Sequence, residues 1–406
     1  MPLNENKNHH HFLHFTILLS FLLSPTGFTQ QAQLPCYLKT GLLDLKQPES
    51  LGLSVADGAE TFTIFKSDEN TDHYCNGVVL FPFKGMLYAQ WQSSAADEDA
   101  EDTWVAYSRS SDGKTWTEPM VLVPKWSKGI RTSGGWRATE DTLVAFLNVW
   151  PDSLNDPKGG YTECLTSANG LAWSSLRMVM NDDGLPVRGV FEQDPHILPN
   201  GRLIGAFHEQ PGLMLSPYFT DDPMGISGWK KGRLNHMNFD GNMSREIEPS
   251  WFCRSDGAIV MLCRDQGSSF RKLASLSDDV GETWTMPGVT NIPDCRAKQS
   301  AGNLPDGTAY LVGCPSGNKN RWPLVILLSR DGFCFDRAYL LRSGGGDLPP
   351  LRYEGKYKRI GYHYPKSVIW KDYLYIGYAT NKEDVEITRV PLSSLLISDC
   401  VRIQIP

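Results

Sequence analysis

Long basic runs are missing from these 406 residues, and the formal net charge is −7. Nucleic-acid binding relies on clustered Lys and Arg, so a nucleic-acid partner is not expected. Local basic patches remain compatible with this total, so an anionic small substrate stays open. The nine cysteines (36, 75, 164, 253, 263, 295, 314, 334 and 400) show no CxxC spacing, which argues against a zinc-finger site. Beyond the N-terminal segment no apolar run is long enough for a membrane helix, so no membrane partner is expected. Long amphipathic helical patterns are nearly absent. What is present is turn-rich and aromatic-rich: 37 Gly, 26 Pro and 12 Trp, with 21% charged residues, a globular composition.

The chain starts like an export signal. Residues 1–14 are polar, 15–23 form a short apolar run, and Ser24-Pro25-Thr26-Gly27 follows. That run is too short to span a bilayer. We expect a secretory signal at 1–30, a single domain over 35–406, and a secreted or periplasmic monomer. Leu34-Pro35 before Cys36 is not a lipobox. In a ring-shaped fold Cys36 and Cys400, near the two ends, would be placed to form a closing disulfide. The plainer alternative is small buried apolar side chains, favoured for Cys253, Cys263 and Cys314.

One short motif recurs. Its fullest copy is Ser277-Asp278-Asp279-Val280-Gly281-Glu282-Thr283-Trp284, an S-x-D-x-G-x-T-W pattern known as the Asp box. Shorter copies begin at Ser110, Ser167 and Ser329, so successive serines stand 57, 110 and 52 residues apart. A degenerate copy around Ser227-Gly228-Trp229 falls in the double gap. Asp or Asn bonds its own following backbone, Gly takes a positive φ, and the aromatic residue wedges between sheets. Between the boxes lie short strands paired through Gly-bearing turns. Four short strands per repeat make an all-β propeller. About 370 mature residues at a period of about 55 give six or seven blades. Inner strands start near residues 76, 134, 194, 249, 300 and 366, and the segment 43–65 is free to close the ring with the C-terminus.

In a propeller, the loops before first strands and after second strands gather at one mouth. The strand starts supply His73, Arg131, Arg188, Glu192, Gln193, Glu246, Glu248, Lys298, Gln299, His363, Tyr364 and Lys366. The second-strand exits supply Gln90, Gln92, Asn148, His208, Glu209, Arg264 and Asp265. This mouth is rich in cations and histidines and would suit a carboxylate-bearing sugar. A single propeller histidine is more often structural, and His196 is read that way. Asp boxes also occur in sialidases, but the early Arg-Ile-Pro motif of those enzymes is missing here; only the interrupted Arg402-Ile403-Gln404-Ile405-Pro406 stands at the far end. The boxes therefore report the sialidase-like fold and little about the reaction.

The segment from Asp72 to Trp116, DHYCNGVVLFPFKGMLYAQWQSSAADEDAEDTWVAYSRSSDGKTW, resembles the first blade of polysaccharide lyase family 42, formerly glycoside hydrolase family 145. These are L-rhamnose-α-1,4-D-glucuronate lyases, first described as α-L-rhamnosidases. The resemblance implies seven blades, with six as the alternative. It also implies action on rhamnose-capped side chains of arabinogalactan, as in gum arabic. It makes His73 the catalytic histidine and, less directly, offers Arg131 and Arg188. β-Elimination needs a cation on the glucuronate carboxylate (Arg131 or Arg188), a base for the C5 proton (His73), and an acid for the leaving rhamnose (the same histidine, Tyr364 or water). His208, Glu209, Arg264, Lys298, His363 and Lys366 are expected to bind the substrate, an oligosaccharide or polysaccharide carrying a uronate. Hydrolysis by an α-L-rhamnosidase or sialidase-type exo-glycosidase would instead use paired carboxylates such as Glu192 and Glu209, or Glu246 and Asp265. A non-catalytic glycan-binding propeller is the remaining alternative. No cofactor is expected. The acidic loop Asp97, Glu98, Asp99, Glu101 and Asp102 could hold Ca²⁺, but a solvated charged loop is the commoner outcome.

Overall fold

The structure, a computed structural model, describes residues 34–396 apart from 193, 194 and 240. The signal reading at 1–30 and Cys400 lie outside the described residues. From Leu34 onward the chain forms one compact unit.

Six antiparallel sheets repeat in chain order, each read here from its innermost strand outwards. Blade 1 is Tyr74–Phe83, Met86–Ser94, Trp104–Ser110 and Met120–Val123. Blade 2 starts with Gly129–Ala138, and blade 3 has a divided inner strand, Gly189–Phe191 and His196–Ile197. Blades 4, 5 and 6 start with Glu246–Cys253, Ser300–Asn303 and Tyr362–Trp370. The fourth strand of blade 6 is Glu60–Phe65, which pairs with Asp384–Pro391. The ring therefore closes with an N-terminal strand inside the segment expected to do so. The chain has six blades, and the count of seven drawn from the family resemblance is corrected to six. The segment 43–65 adds one strand to an existing sheet and builds no seventh.

The Asp boxes join third strands to fourth strands. In the first box the Gly113 and Asp112 amides donate to Ser110 Oγ, the former over 2.8 Å, while Lys114 and Thr115 amides donate to Asp112 Oδ1, both over 2.8 Å. Boxes at Ser167, Ser277 and Ser329 repeat this. The degenerate copy is built differently from its expected serine. Thr220 and Asp222 hold the turn, and Trp229 Nε1 donates to Gly225 O, as Trp284 Nε1 does to Gly281 O.

Apolar residues form six clusters, each shared by two neighbouring blades, such as Leu80 and Trp91 of blade 1 with Tyr375 and Ile387 of blade 6. Cys263 and Cys314 are buried in these cores as expected, whereas Cys253 is half-buried. Each inner strand is thus packed on both faces, and its leading end is free to carry polar side chains.

Candidate active site around Tyr364

Three inner strands carry the same irregularity. The pairing skips two residues: Gly77-Val78 in blade 1, Glu248-Pro249 in blade 4, and Tyr364-Pro365 in blade 6. The first residue of each bulge takes a left-handed backbone, with φ of 65°, 54° and 52°. Glycine adopts this freely, but Glu and Tyr do so at a cost of about 1–3 kcal/mol. Proline suits the second position, because a bulged residue has no ladder partner for an N–H. The two bulges thus spend stability on presenting Glu248 and Tyr364.

Cations surround the Tyr364 ring. Arg321 lies 5.0 Å from its centroid, Lys298 5.6 Å and Lys382 5.9 Å. Arg264 belongs to the same group and donates to both oxygens of Glu248, over 3.3 and 3.1 Å. Burial disfavours the charge on Arg264, Arg321 and Lys298, but neighbouring anionic groups, Glu248 and Tyr364 among them, outweigh it in all three, so these two residues share three cationic neighbours. Glu248 is held below the usual carboxylate range: burial opposes this, but Arg264 and Lys298 outweigh it. Arg296, also at a left-handed φ of 55°, and Arg359 are each lowered first by burial and then by neighbouring arginines, which places them in the same cluster. Among the described residues Arg264 Nε and Arg321 Nε are buried without a hydrogen-bond partner, which a bound carboxylate would satisfy.

Two supports hold the cluster. His363 is fully buried and accepts from Arg321 over 2.7 Å at Nδ1, while its Nε2–H donates to Arg359 O over 2.8 Å. That pattern requires neutral imidazole, and burial followed by the charge of Arg321 pushes its pKa well below 6.5. On the other side Glu192 bridges His208 Nδ1 and Lys298 Nζ, each over 2.8 Å. Although burial opposes ionisation of Glu192, Lys298 and His208 keep it a carboxylate. Lys382 pairs with Glu98 over 2.5 Å.

The sequence-derived residues divide between this centre and other places. Lys298 stands over Tyr364, Arg264 joins the group through Glu248, and His208 and His363 support it. Lys366 is buried further along its inner strand, and its charge helps burial lower the pKa of His196 to about 3. Glu209 is tied to Ser216, Tyr218 and Lys231. Arg131 stacks on Trp126 at 4.6 Å and pairs with Glu163 over 3.0 Å, and Arg188 is exposed. His73 stacks on Tyr353 with centroids 3.8 Å apart and planes 5° apart. Glu246 and Asp265, one proposed carboxylate pair, are engaged by His236 and by both nitrogens of an Arg245 fork. In the acidic loop Asp97, Glu98, Asp99 and Asp102 bond Lys356 N, Lys382, Lys158 and Ala95 N. Among the described residues no group of three or more His, Cys, Asp or Glu side chains is placed to hold a metal ion.

Sequence reasoning missed Arg321, Lys382, Arg296 and Arg359. Arg321 follows the second strand of blade 5 and Lys382 the second strand of blade 6, so the rule about second-strand exits reaches both.

A sequence profile of the BNR repeat-like domain matches residues 85–376. The chain belongs to the BNR repeat-like family. A search of curated proteins returns no match. Similar solved structures include a sialidase (19% identity, TM-score 0.63, 88% of this chain and 35% of that one). Trypanosoma rangeli sialidase in complex with sialic acid is 15% identical, with a TM-score of 0.61 over 85% of this chain and 60% of that one. The intramolecular trans-sialidase of Ruminococcus gnavus, in complex with oseltamivir carboxylate, is 14% identical, with a TM-score of 0.60 over 83% and 98%. The BNR chain thus spans about a third of the first of these and 60% of the second. At such identities the likeness shows a sialidase-like propeller fold.

Proposed function

We propose that this BNR propeller is an exo-acting enzyme that cleaves a terminal carboxylate-bearing sugar from a glycan, with Tyr364 as the reacting group. One observation carries this reading: Tyr364 and Glu248 are presented on matching strained bulges and share Arg264, Arg321 and Lys298 as neighbours. The cations would hold the sugar carboxylate and stabilise a developing phenolate. In hydrolysis the phenol oxygen attacks the anomeric carbon as its proton passes to Glu248, the aglycone departs as an alcohol on taking a proton from solvent, and water then attacks the anomeric carbon to release the sugar, its proton returning to the Tyr364 oxygen. Solved relatives described as complexes with sialic acid or oseltamivir carboxylate support a carboxylate ligand.

Elimination is the second reading, favoured by the same placement of a phenol among carboxylate-binding cations. With a rhamnosyl-α-1,4-glucuronate end, the cations acidify the C5 proton. Tyr364, as the phenolate, accepts it and returns it to the departing glycosidic oxygen, so that L-rhamnose leaves with an unsaturated uronate behind. We further propose a secreted or periplasmic monomer that needs no cofactor.

The test is incubation with gum arabic and, separately, with a sialoside reporter, followed by mass analysis of the products. Sugar released with a hydrated end supports hydrolysis, and a dehydrated uronate end that absorbs in the ultraviolet supports elimination. Turnover unchanged in Tyr364→Phe would overturn the role of Tyr364. Absence of turnover on both substrates, with retained glycan affinity, would establish a binding module instead.

A further inference from the structure

A cavity of about 560 Å³ opens where blade 1 meets the closing strand of blade 6, and it differs chemically from the Tyr364 centre. Phe65, Trp91 and Trp104 line it together with Asp72 and His73. Phe65 and Trp91 stack with centroids 6.1 Å apart. The His73 ring is held flat against Tyr353 behind it. The polar atoms are fixed. Ser93 Oγ and Trp104 Nε1 both donate to Asp72 Oδ2, over 2.7 and 2.6 Å. Asp72 Oδ1 keeps no protein partner among the described residues. His73 Nε2–H donates to Asp68 O over 3.1 Å, so Nδ1 of the neutral ring is an acceptor, and it too has no partner among the described residues.

The charge pattern is the reverse of that around Tyr364. The lining contains Asp72, Glu69 and Glu118 but no Lys or Arg. Lys358, whose Nζ donates to His73 O over 2.9 Å, and Arg352 are paired with Glu383 and Asp384. This lining would disfavour a carboxylate-bearing sugar. Aromatic faces beside fixed acceptors fit a neutral pyranose, whose C–H face stacks on a ring and whose hydroxyls donate to Asp72 Oδ1 and His73 Nδ1. We propose that this cavity is a binding site for a neutral sugar unit of the glycan, separate from the site that takes its acidic end. The choice of a sugar over another neutral ligand rests on the glycan-active reading above.

The test is titration of the full chain with methyl α-L-rhamnopyranoside and with methyl β-D-galactopyranoside, read by tryptophan emission and calorimetry. Methyl β-D-glucuronide and choline serve as charged competitors. At least one neutral glycoside should saturate with an emission change, without competition from the glucuronide at equal concentration. His73→Ala, which removes one acceptor, should weaken it about tenfold. If His73→Ala loses its near-ultraviolet dichroism, the isosteric Asp72→Asn, which converts an acceptor pair into one acceptor and one donor, gives the same comparison. Failure of both glycosides to saturate, wild-type affinity in the variants, or displacement by choline would overturn the proposal. Tyr364→Phe should abolish turnover while leaving this binding intact, so failure of either reading is recognised separately.

Discussion

Tyr364 and Glu248 cost the fold stability that the equivalent Gly77 does not, and this asymmetry is the best residue-scale argument for their function. Tyr364→Phe keeps the ring among its cations but removes the hydroxyl. We expect it to lower kcat by at least about 10²-fold with affinity for a carboxylate-bearing product nearly unchanged, measured by single-turnover kinetics and calorimetry. His363 acts one step back, because its neutral Nδ1 fixes the guanidinium of Arg321. His363→Ala should raise KM more than it lowers kcat, and His363→Asn, which restores an acceptor, should recover part of the loss. Equal effects of Ala and Asn would argue for packing alone. Tyr364 was legible in the sequence as a strand-start residue, and the Glu248-Pro249 and Tyr364-Pro365 dipeptides mark the bulges. What the sequence hides is the cation set. Lys382 shares blade 6 with Tyr364, while Arg321 arrives from the blade 5 side through a pairing with Gly361 that no local pattern announces. The first-blade resemblance led instead to His73, which faces a different, aromatic cavity.

At the scale of the element, the Asp box is a side-chain-to-backbone clip, and its carboxylates are proton-sensitive. Amides of Thr115 and Lys114 lower the Asp112 pKa from 3.8 to about 2, and Asp279 and Asp331 shift the same way against the opposing effect of burial. A carboxyl whose folded pKa lies below its unfolded value stabilises fully above the unfolded pKa. That stabilisation is lost as pH falls towards the folded one. Thermal midpoints should therefore decline between about pH 4 and pH 2. Asn169 occupies the same place in the second box and bonds the same amides, so Asp112→Asn should fold and show a shallower decline over that window. An unchanged slope would remove Asp112 from the acid response. The boxes also explain why blade number was only half legible. Each joins a third strand to a fourth, and the last blade takes its fourth strand from the N-terminal side. Four boxes and one degenerate copy therefore mean six blades, a count that the average period alone leaves between six and seven.

At the scale of the molecule, every apolar cluster is shared by two blades, so no blade completes its own core. The ring then depends on its seam. Before reaching blade 6 the N-terminal segment runs past blades 4 and 5. Asn291 exchanges hydrogen bonds with Leu38 over 2.8 Å each way, Tyr37–Leu38 pairs with Cys334–Phe335, and Ala56 N donates to Leu340 O. It ends on Glu60–Phe65, where Ile64 is buried with Val385 and Ile387, and Arg389 holds Glu60. Placing a charge at Ile64 buries it without a partner and frees the edge of Asp384–Pro391. Ile64→Asp should cost at least about 3 kcal/mol and lower the thermal midpoint of the whole propeller in one transition. Val121→Asp, at an exposed position of the outer strand of blade 1, should change it little. If Ile64→Asp instead split unfolding into two transitions, with most of the chain melting at the wild-type temperature, the blades would be independent. The seam would then be an ornament of the ring and not its lock.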